Sequence, residues 1–393
     1  MMHRRIRCTR SPRNALIILC LLGLTACGPP TPEEQLSAAR KSIEASDPRT
    51  AEIYLKNLLL DEPNNAEARQ LYGEFQLSIG DAAGAEQSLQ RAVELGIPAS
   101  AVHVPLLRAQ IHQGKFADAL ALIDSGMDLT NPDQISVNIS AGMAHQGLGS
   151  LVEAEASYRA ALEIDPDSAA AQAELAGFLL DTGRGAEAVR LVEAALDDAP
   201  DFARALFLRG VMEHAAGRYD AAEASFVAAL NSDSGDRRTR LAALARLIET
   251  LLALGKLSGA DSSADLLLSL NPSNPVALYL KARVEFEKKD LDGAARRLQG
   301  LLATFPDYGP AYTLLGSISR AEGETNTAIM YLQAAIRKTP SDNSARLMLA
   351  EMHIAEGDLD AARDLFDGSA QSGAMGSLFL ASAGWLSLDL SLI

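Results

Sequence analysis

The chain is poor in cysteine, in aromatic residues and in positive charge, and it has no long apolar run. Among its 393 residues there are three Cys and one Trp, and aromatic residues make up 5%. A net charge of −16 argues against a nucleic-acid partner, because binding a phosphate backbone needs a basic face. Since no apolar run approaches the length of about 20 residues that spans a bilayer, a polytopic membrane protein is excluded. The core must consist mainly of Ala and Leu.

The amino-terminal residues have the features of an export signal. Residues 1–14 contain five Arg and no acid, and the ten residues 15–24, ALIILCLLGL, are apolar. This run is too short for a bilayer span but has the length of a signal-peptide core. The Leu24-Thr25-Ala26-Cys27 that follows resembles the lipobox of bacterial lipoproteins. The resemblance implies a signal peptide over residues 1–26 and lipidation of Cys27; the alternative is a buried Cys near a conventional cleavage site.

Cleavage before Cys27 would change the chemistry of the mature chain. Cys8 and Cys20 would be lost, so neither a disulfide nor a cysteine metal site is expected. The net charge would fall from −16 to −21, because five Arg leave with the signal. Two or three acyl chains would anchor the protein stably, with residues 27–31 as a short Pro-rich tether. Gly28 stands where lipoproteins retained in the inner membrane carry Asp, which favours the periplasmic face of the outer membrane.

One alanine recurs with a period of about 34 residues through the rest of the chain. The recurring residues are Ala51, Ala85, Ala119, Ala154, Ala188, Ala222, Ala260, Ala294, Ala328 and Ala362. Their spacing is 34 residues, apart from one step of 35 and one of 38. A fixed period of this length is typical of an architecture in which each repeat is one supersecondary unit.

Three further positions keep the same frame. The small residues twelve positions before the alanine are Ala39, Gly73, Gly142, Ala176, Gly210, Ala282, Gly316 and Ala350. The glycines five positions before it are Gly80, Gly114, Gly149, Gly183, Gly217, Gly255, Gly323 and Gly357. The prolines twelve positions after it are Pro63, Pro166, Pro200, Pro272, Pro306 and Pro340. We expect the small residues to let two helices approach closely, the Gly to end the first helix and the Pro to follow the second.

This pattern resembles the tetratricopeptide repeat, which has small residues at positions 8 and 20, a bulky one at 24 and Pro at 32. The resemblance implies an all-α fold, a right-handed superhelical solenoid of about ten helical hairpins over residues 32–376. The predicted repeats are about 32–65, 66–99, 100–134, 135–168, 169–202, 203–240, 241–274, 275–308, 309–342 and 343–376.

A few residues depart from the pattern. Leu107 and Ile248 are bulky at position 8, so the third and seventh repeats are expected to pack differently in detail. Ser46 and Lys289 replace the helix-ending Gly. Four extra residues precede the seventh repeat in the polar segment 231–236, which we expect to be the most flexible joint.

No catalytic, nucleotide-binding or zinc-protease motif occurs in the sequence. We therefore predict no catalytic residue, no metal site and no cofactor, so the chain is not expected to be an enzyme. His103 and His112 are nine residues apart, a spacing that does not place both on one helix face. Asp290-x-Asp292 and Asp358-x-Asp360 resemble the DxD motif of nucleotide-sugar transferases, but they fall in predicted turns, where Asp is common.

Stacked hairpins offer an extended binding surface instead. In the tetratricopeptide family the concave face is lined by positions 2, 5, 9, 12 and 13 of each first helix. The candidate binding residues at positions 5 and 9 are Arg40, Glu74, Arg108, Phe207, Glu249, Tyr279, Arg283 and Glu351. The Lys at 5 and Asn at 9 with which the chaperone-binding subclass clamps a peptide carboxylate are absent. The mixture suits a protein segment, although each residue is also compatible with a merely exposed or packing role.

The amino-terminal part is similar to lipoproteins of PEP-CTERM/exosortase systems, which are encoded with exopolysaccharide biosynthesis genes. The lipobox, residues 32–99 and the segment VPLLRAQIHQGK at 104–115 carry this similarity. It implies a lipid-anchored periplasmic scaffold that binds protein segments of an envelope assembly or export complex and supports exopolysaccharide biosynthesis, its export or PEP-CTERM protein sorting. Two alternatives remain: a scaffold for another envelope machine, such as a pilus secretin or outer-membrane protein assembly, and an accessory module of an enzyme whose catalytic part is absent.

Residues 377–393 are predicted to be a partial repeat or tail. An eleventh repeat would begin at Ser377 and place Gly384 at its small position. The last nine residues, WLSLDLSLI, are apolar and alternating, whereas a terminal repeat normally has a polar outer face. Three interpretations are open: a half-repeat that caps the stack, a docking segment for a partner, or the end of a truncated gene.

Overall fold

A computed structural model describes residues 30–45, 47–126 and 131–367. Within these residues the chain forms twenty α-helices and a short 3-10 helix, without a β-strand, which confirms the predicted all-α fold. None of the described helices has the length and apolar character needed to cross a membrane. The predicted signal peptide, Cys27, Ser46 and residues 377–393 lie outside the described residues.

Two compact units divide the chain, within residues 1–113 and 114–393. The first unit contains α1 (Pro32–Glu44), α2 (Pro48–Asp61), α3 (Ala66–Ile79), α4 (Ala82–Glu94), the 3-10 helix (Ala99–Ala101) and α5 (His103–His112). Helix α1 packs on α2, α3 packs on α4, and α5 contacts both α3 and α4. Its core is small and includes Ala39, Leu55 and Phe75.

The second unit is a longer series of paired helices. Its helices are α6 (Phe116–Asp124), α7 (Asn131–Gly147), α8 (Leu151–Ile164), α9 (Ala169–Asp181), α10 (Gly185–Asp198), α11 (Ala203–Ala215), α12 (Tyr219–Asn231), α13 (Arg237–Ala253), α14 (Leu257–Leu270), α15 (Pro275–Glu287), α16 (Leu291–Thr304), α17 (Gly309–Ala321), α18 (Thr325–Lys338), α19 (Asn343–Glu356) and α20 (Leu359–Asp367). From α7 onward each odd-numbered helix packs on the next even-numbered one. Most of the unit shares one continuous core, rich in Ala and Leu.

Glycine ends the first helix of most hairpins, as the sequence predicts. All eight predicted glycines have positive φ, between 69° and 87°. At Gly80 the turn is closed by two backbone bonds, from Gly80 N to Leu77 O and from Asp81 N to Gln76 O. Lys289 keeps this geometry without a glycine: its φ is 68°, and the same two bonds run to Phe286 O and Glu285 O. A side chain in the left-handed region costs about 1–2 kcal/mol.

The small residue at position 8 makes room for the bulky residue at position 24. A Cβ added to Gly210 would lie 2.6 Å from Cε1 of Phe226, and one added to Gly142 would lie 2.6 Å from Cε1 of Tyr158. Gly73 stands in the same relation to Leu89. The large side chain of one helix therefore packs directly against the backbone of the other helix at the glycine, where there is no Cβ.

The segment before α13, which the sequence predicts to be the most flexible joint, is hydrogen-bonded to the preceding hairpin; its flexibility stays a prediction. Ser232 is buried, and its hydroxyl donates to the backbone oxygen of Asp201. The hydroxyl of Ser234 accepts a 2.8 Å bond from the backbone nitrogen of Ala203, and the Asp236 side chain caps α13. The extra residues thus bind the preceding hairpin through short hydroxyl side chains, a role that their polarity alone did not reveal.

Candidate binding face

The first helices of the second unit contact one another in succession. Direct packing joins α7 to α9, α9 to α11, α11 to α13, α13 to α15, and α15 to α17. We call the surface formed by these helices and α19 the first-helix face. The family's ligand positions, 2, 5, 9, 12 and 13 of each repeat, all lie on these first helices.

A groove of about 440 Å³ opens on the first-helix face between α15, α17 and α19. Its lining residues are Phe286, Ser317, Arg320, Ala321, Ser344, Leu347, Met348 and Glu351. All of them except Met348 occupy positions 2, 5, 9, 12 or 13 of their predicted repeats. Of the predicted binding residues, Glu351 lies in this groove.

The lining of the groove combines exposed apolar side chains with an ion pair. Leu347 is 51% exposed, and Phe286 and Met348 are half-buried. Arg320 Nη1 lies 3.1 Å from Glu351 Oε2, so the two charges satisfy each other. Ser317 Oγ donates a 3.4 Å bond to the sulfur of Met348. An occupant would therefore gain more from apolar contact than from charge pairing.

A second polar cluster lies between α11, α13 and α15. Glu249 Oε2 is 3.0 Å from Arg246 Nη1, and its Oε1 is 3.8 Å from Arg283 Nη1. His214 Nδ1 lies 2.9 Å from the hydroxyl of Thr250, which itself donates to the backbone oxygen of Arg246. His214 therefore donates to Thr250. Burial lowers the pKa of His214 and so favours the neutral ring, and Arg246 and Arg283 act in the same direction against Glu249.

A third cluster lies between α9 and α11. Arg204 Nε is 3.2 Å from Glu174 Oε1, and its guanidinium stacks 5.5 Å from the ring centre of Phe207. Gly177 occupies position 9 here, and a Cβ at that residue would lie 3.0 Å from Arg204 Nη2. The missing side chain thus leaves space for the guanidinium. The guanidinium of Arg204 already pairs with a carboxylate of the same protein, as those of Arg246 and Arg320 do.

The structure places the predicted binding residues in different environments. In the first unit, Arg40 pairs with Glu67 at 2.6 Å, Glu74 accepts a bond from Gln70, and Arg108 is exposed.

In the second unit, Glu249 and Arg283 are brought together, but three predicted residues are buried. Phe207 and Tyr279 are only 3% and 7% exposed, and Glu249 is 9% exposed. The phenylalanine packs on Phe226, and the tyrosine packs on Tyr308 of the next repeat. The assignment of these three as ligand contacts is therefore corrected: neighbouring helices already cover them.

Several functional positions were missed from the sequence. Phe286, Arg320 and Leu347 line the groove although only positions 5 and 9 with charged or aromatic side chains had been selected. Their signal was present, since they occupy positions 12, 12 and 5 of the frame.

The two DxD segments serve helix capping. Asp290 Oδ1 accepts a 2.9 Å bond from Gly293 N at the start of α16, and Asp358 Oδ1 accepts a 3.0 Å bond from Ala361 N. These bonds satisfy backbone groups that a helix start leaves unpaired. Across the described residues, no group of three or more His, Cys, Asp or Glu is placed to hold a metal ion.

Family models described as tetratricopeptide repeat match residues 42–96, 147–209, 245–309 and 319–374. Together these segments make up more than half of the chain. The matches fall on both units.

Two known proteins place the fold among its relatives. Over 191 residues, 46% of this chain, the sequence is 34% identical to cellulose synthase operon protein C of Xanthomonas axonopodis pv. citri; the matched part is 12% of that relative. The crystal structure of the APC/C hetero-tetramer Cut9–Hcn1 is similar with a TM-score of 0.60 at 13% identity, over 82% of this chain and 67% of that one. The helical pairs, their glycine ends and these matches agree. The chain therefore belongs to the tetratricopeptide-repeat family.

Proposed function

We propose that this protein is a lipid-anchored scaffold of the bacterial envelope, attached through Cys27 to the periplasmic face of the outer membrane. It binds protein segments on its first-helix face and supports exopolysaccharide biosynthesis or export, or the sorting of PEP-CTERM proteins. The observation that carries binding is the groove between α15, α17 and α19, whose lining follows the ligand positions of the repeat frame.

The polysaccharide context rests on the sequence. The relative named for a cellulose synthase operon is 34% identical over 191 residues, and cellulose is an exopolysaccharide. The chain spans only 12% of that relative's length, so the shared part is repeat rather than a whole machine. A scaffold role fits the groove that opens on the first-helix face.

Gene deletion in the native host tests the biological role. We expect less surface polysaccharide or mis-sorted PEP-CTERM proteins, with both restored by the wild-type gene. A Cys27→Ser gene should give an unshortened protein that restores neither. Unchanged polysaccharide and unchanged sorting after deletion would refute the role, and a fully functional, membrane-bound Cys27→Ser protein would refute the anchor.

Site-specific crosslinking tests the binding face separately. A photoreactive residue at position 344, inside the groove, should capture a protein partner in the native host. The same residue at position 330 is the control, because Met330 is 55% exposed on α18 and is not among the groove-lining residues. Capture at 330 but not at 344 would place the partner elsewhere and contradict the proposed face.

A further inference from the structure

The outer side of α2, the second helix of the first hairpin, carries two exposed aliphatic side chains. Ile53 is 53% exposed, and Leu60 is 78% exposed. Arg49 and Lys56 are exposed on the same helix. Because successive residues of a helix are about 100° apart, these four side chains fall within about 60° of one another around its axis. They form one stripe in which cations and aliphatic side chains alternate, and we call it the α2 stripe.

The charge of the α2 stripe is positive. Lys56 Nζ lies 2.6 Å from Glu52 Oε1, but both side chains are more than a third exposed, so this ion pair is weak. Asp61 follows Leu60 in the sequence and is turned about 100° away from it around the helix axis. With Glu52 counted, Arg49 still leaves the stripe with a surplus cation.

The α2 stripe is particular to the first repeat. Ile53 and Leu60 occupy positions 22 and 29, counted from residue 32. At position 22 the other repeats have Gln, Ala, Arg, Ser or Asp, apart from Met330. At position 29 they have small or polar residues: Glu94, Asp128, Glu163, Asp197, Asn231, Ser269, Ala303, Arg337 and Gln371. The repeat pattern therefore does not require the two exposed aliphatic residues of α2.

The end of α2 lies beside the beginning of the repeat array. Leu36, near the start of α1, packs against the apolar cluster that contains Leu58, near the end of α2. Helix α1 begins at Pro32, five residues after Cys27, and five residues of extended chain reach at most about 18 Å. A lipid on Cys27 would therefore keep Leu60 close to the bilayer.

We propose that the α2 stripe lies on the surface of the membrane, with Ile53 and Leu60 among the lipid headgroups and Arg49 and Lys56 beside anionic phosphates. Helices that combine aliphatic and basic side chains bind membrane surfaces in this way. The inference rests on the proposed anchor at Cys27 and adds an orientation to it. Two aliphatic side chains alone would bind lipid weakly, but the short tether makes the contact intramolecular, so a weak contact is populated.

A fluorescent label tests the contact in the acylated protein, reconstituted into vesicles that contain phosphatidylglycerol. Cys27 would carry lipid, and Cys8 and Cys20 would leave with the signal peptide, so an introduced cysteine is the free thiol. A nitrobenzoxadiazole dye on Ile53→Cys should emit at shorter wavelength with severalfold higher intensity than the same dye on Met330→Cys. It should also be quenched by lipids that carry a spin label near the headgroup. Met330 is the matched control, because it occupies the same repeat position and is 55% exposed.

A second change separates the stripe from the dye. In the Ile53→Cys protein, Leu60→Asp should reduce the intensity and the quenching to the values of the control. Ala303→Asp, at the same repeat position on α16, should leave both unchanged. Replacement of phosphatidylglycerol by phosphatidylcholine should also reduce the signal, because the two cations then face no net negative charge. Far-ultraviolet circular dichroism checks that each variant keeps its helicity.

The outcomes that contradict the proposal are distinct from those that contradict the anchor. If mass spectrometry finds acyl chains on Cys27 but the dye at residue 53 is as exposed to water as the control, the orientation is wrong and the anchor stands. A shielded dye that spin-labelled lipid does not quench would assign the stripe to a protein partner. A signal that survives both Leu60→Asp and the loss of lipid charge would overturn the stripe as its cause. A mature protein without acyl chains would refute the anchor and the orientation together.

Discussion

The packing of glycine against a large ring gives a quantitative prediction for Gly210→Ala. In a free helix this change stabilises by about 1 kcal/mol, because Ala has the higher helix propensity. Here the new Cβ would lie 2.6 and 2.7 Å from two carbon atoms of Phe226. Phe226 is fully buried and packs against Phe207, so the ring has nowhere to move without displacing a second ring. Overpacking of this kind costs about 1–3 kcal/mol.

The matched control is Gly300→Ala in α16, where a Cβ would meet nothing within 4 Å. We expect this variant to be stabilised by about 1 kcal/mol and Gly210→Ala to be destabilised by up to about 2 kcal/mol. Urea titration followed by circular dichroism gives the two midpoints. Since repeat proteins need not unfold in one step, hydrogen exchange in α11 should report the local loss.

The cause of the loss is checked by a double-mutant cycle. In a Phe226→Ala background, Gly210→Ala should cost little or be favourable, because the ring that opposes the Cβ is absent. If Gly210→Ala stabilises as much as Gly300→Ala, or if its cost is unchanged without the ring, the reasoning about position 8 is wrong.

Three further perturbations follow from the structure. Lys289→Gly should raise stability by about 1 kcal/mol, because it removes a side chain from a left-handed residue, and the midpoint of urea unfolding measures this. The pKa of His214 is depressed by burial, so its contribution to stability is present above the ordinary value of about 6.5 and is lost as the pH falls through the lower folded value; His214→Gln should flatten this acid loss in thermal melts. Asp261→Asn should destabilise by about 1–3 kcal/mol, because the partner 2.7 Å from the buried Lys281 ammonium loses its negative charge, as measured by urea unfolding.

Each of these has an outcome that contradicts it. A less stable Lys289→Gly protein would mean that the 5.6 Å contact of the ammonium with Phe286 outweighs the backbone cost. An acid transition of the same size in His214→Gln would assign the effect to other groups. An unchanged Asp261→Asn protein would show that Asp265, 2.5 Å from the same ammonium, suffices alone.

The fold could be predicted because each position of the repeat requires a particular backbone conformation and a particular side-chain size. Glycines at one position had to be left-handed, and all eight are. Ile248 at position 8 of the seventh repeat is bulkier than the repeat pattern predicts. Ala264 occupies the opposing position 24, and both residues are fully buried. The large residue is at position 8 and the small residue is at position 24, the reverse of the repeat pattern, so the packed side-chain volume of the hairpin is conserved.

The binding face was harder to predict because one repeat position has two environments. Phe207 and Leu347 both stand at position 5, but the side chain of the first is 3% exposed and that of the second is 51% exposed. Charge was an equally poor guide, because Glu249 and Arg283 lie 3.8 Å apart and Glu249 is buried. A periodic pattern gives where a residue lies in its repeat, whereas exposure depends on what the neighbouring repeat contributes.

The complementarity of Gly210 and Phe226 is completed inside a single hairpin, and the first helices from α7 to α17 pack on one another in succession. Such a chain can be lengthened or shortened by thirty-four residues at a time without inventing a new joint. The length of the stack is then the property that such a protein can change most readily. The number of repeats sets the distance over which it can hold two partners apart.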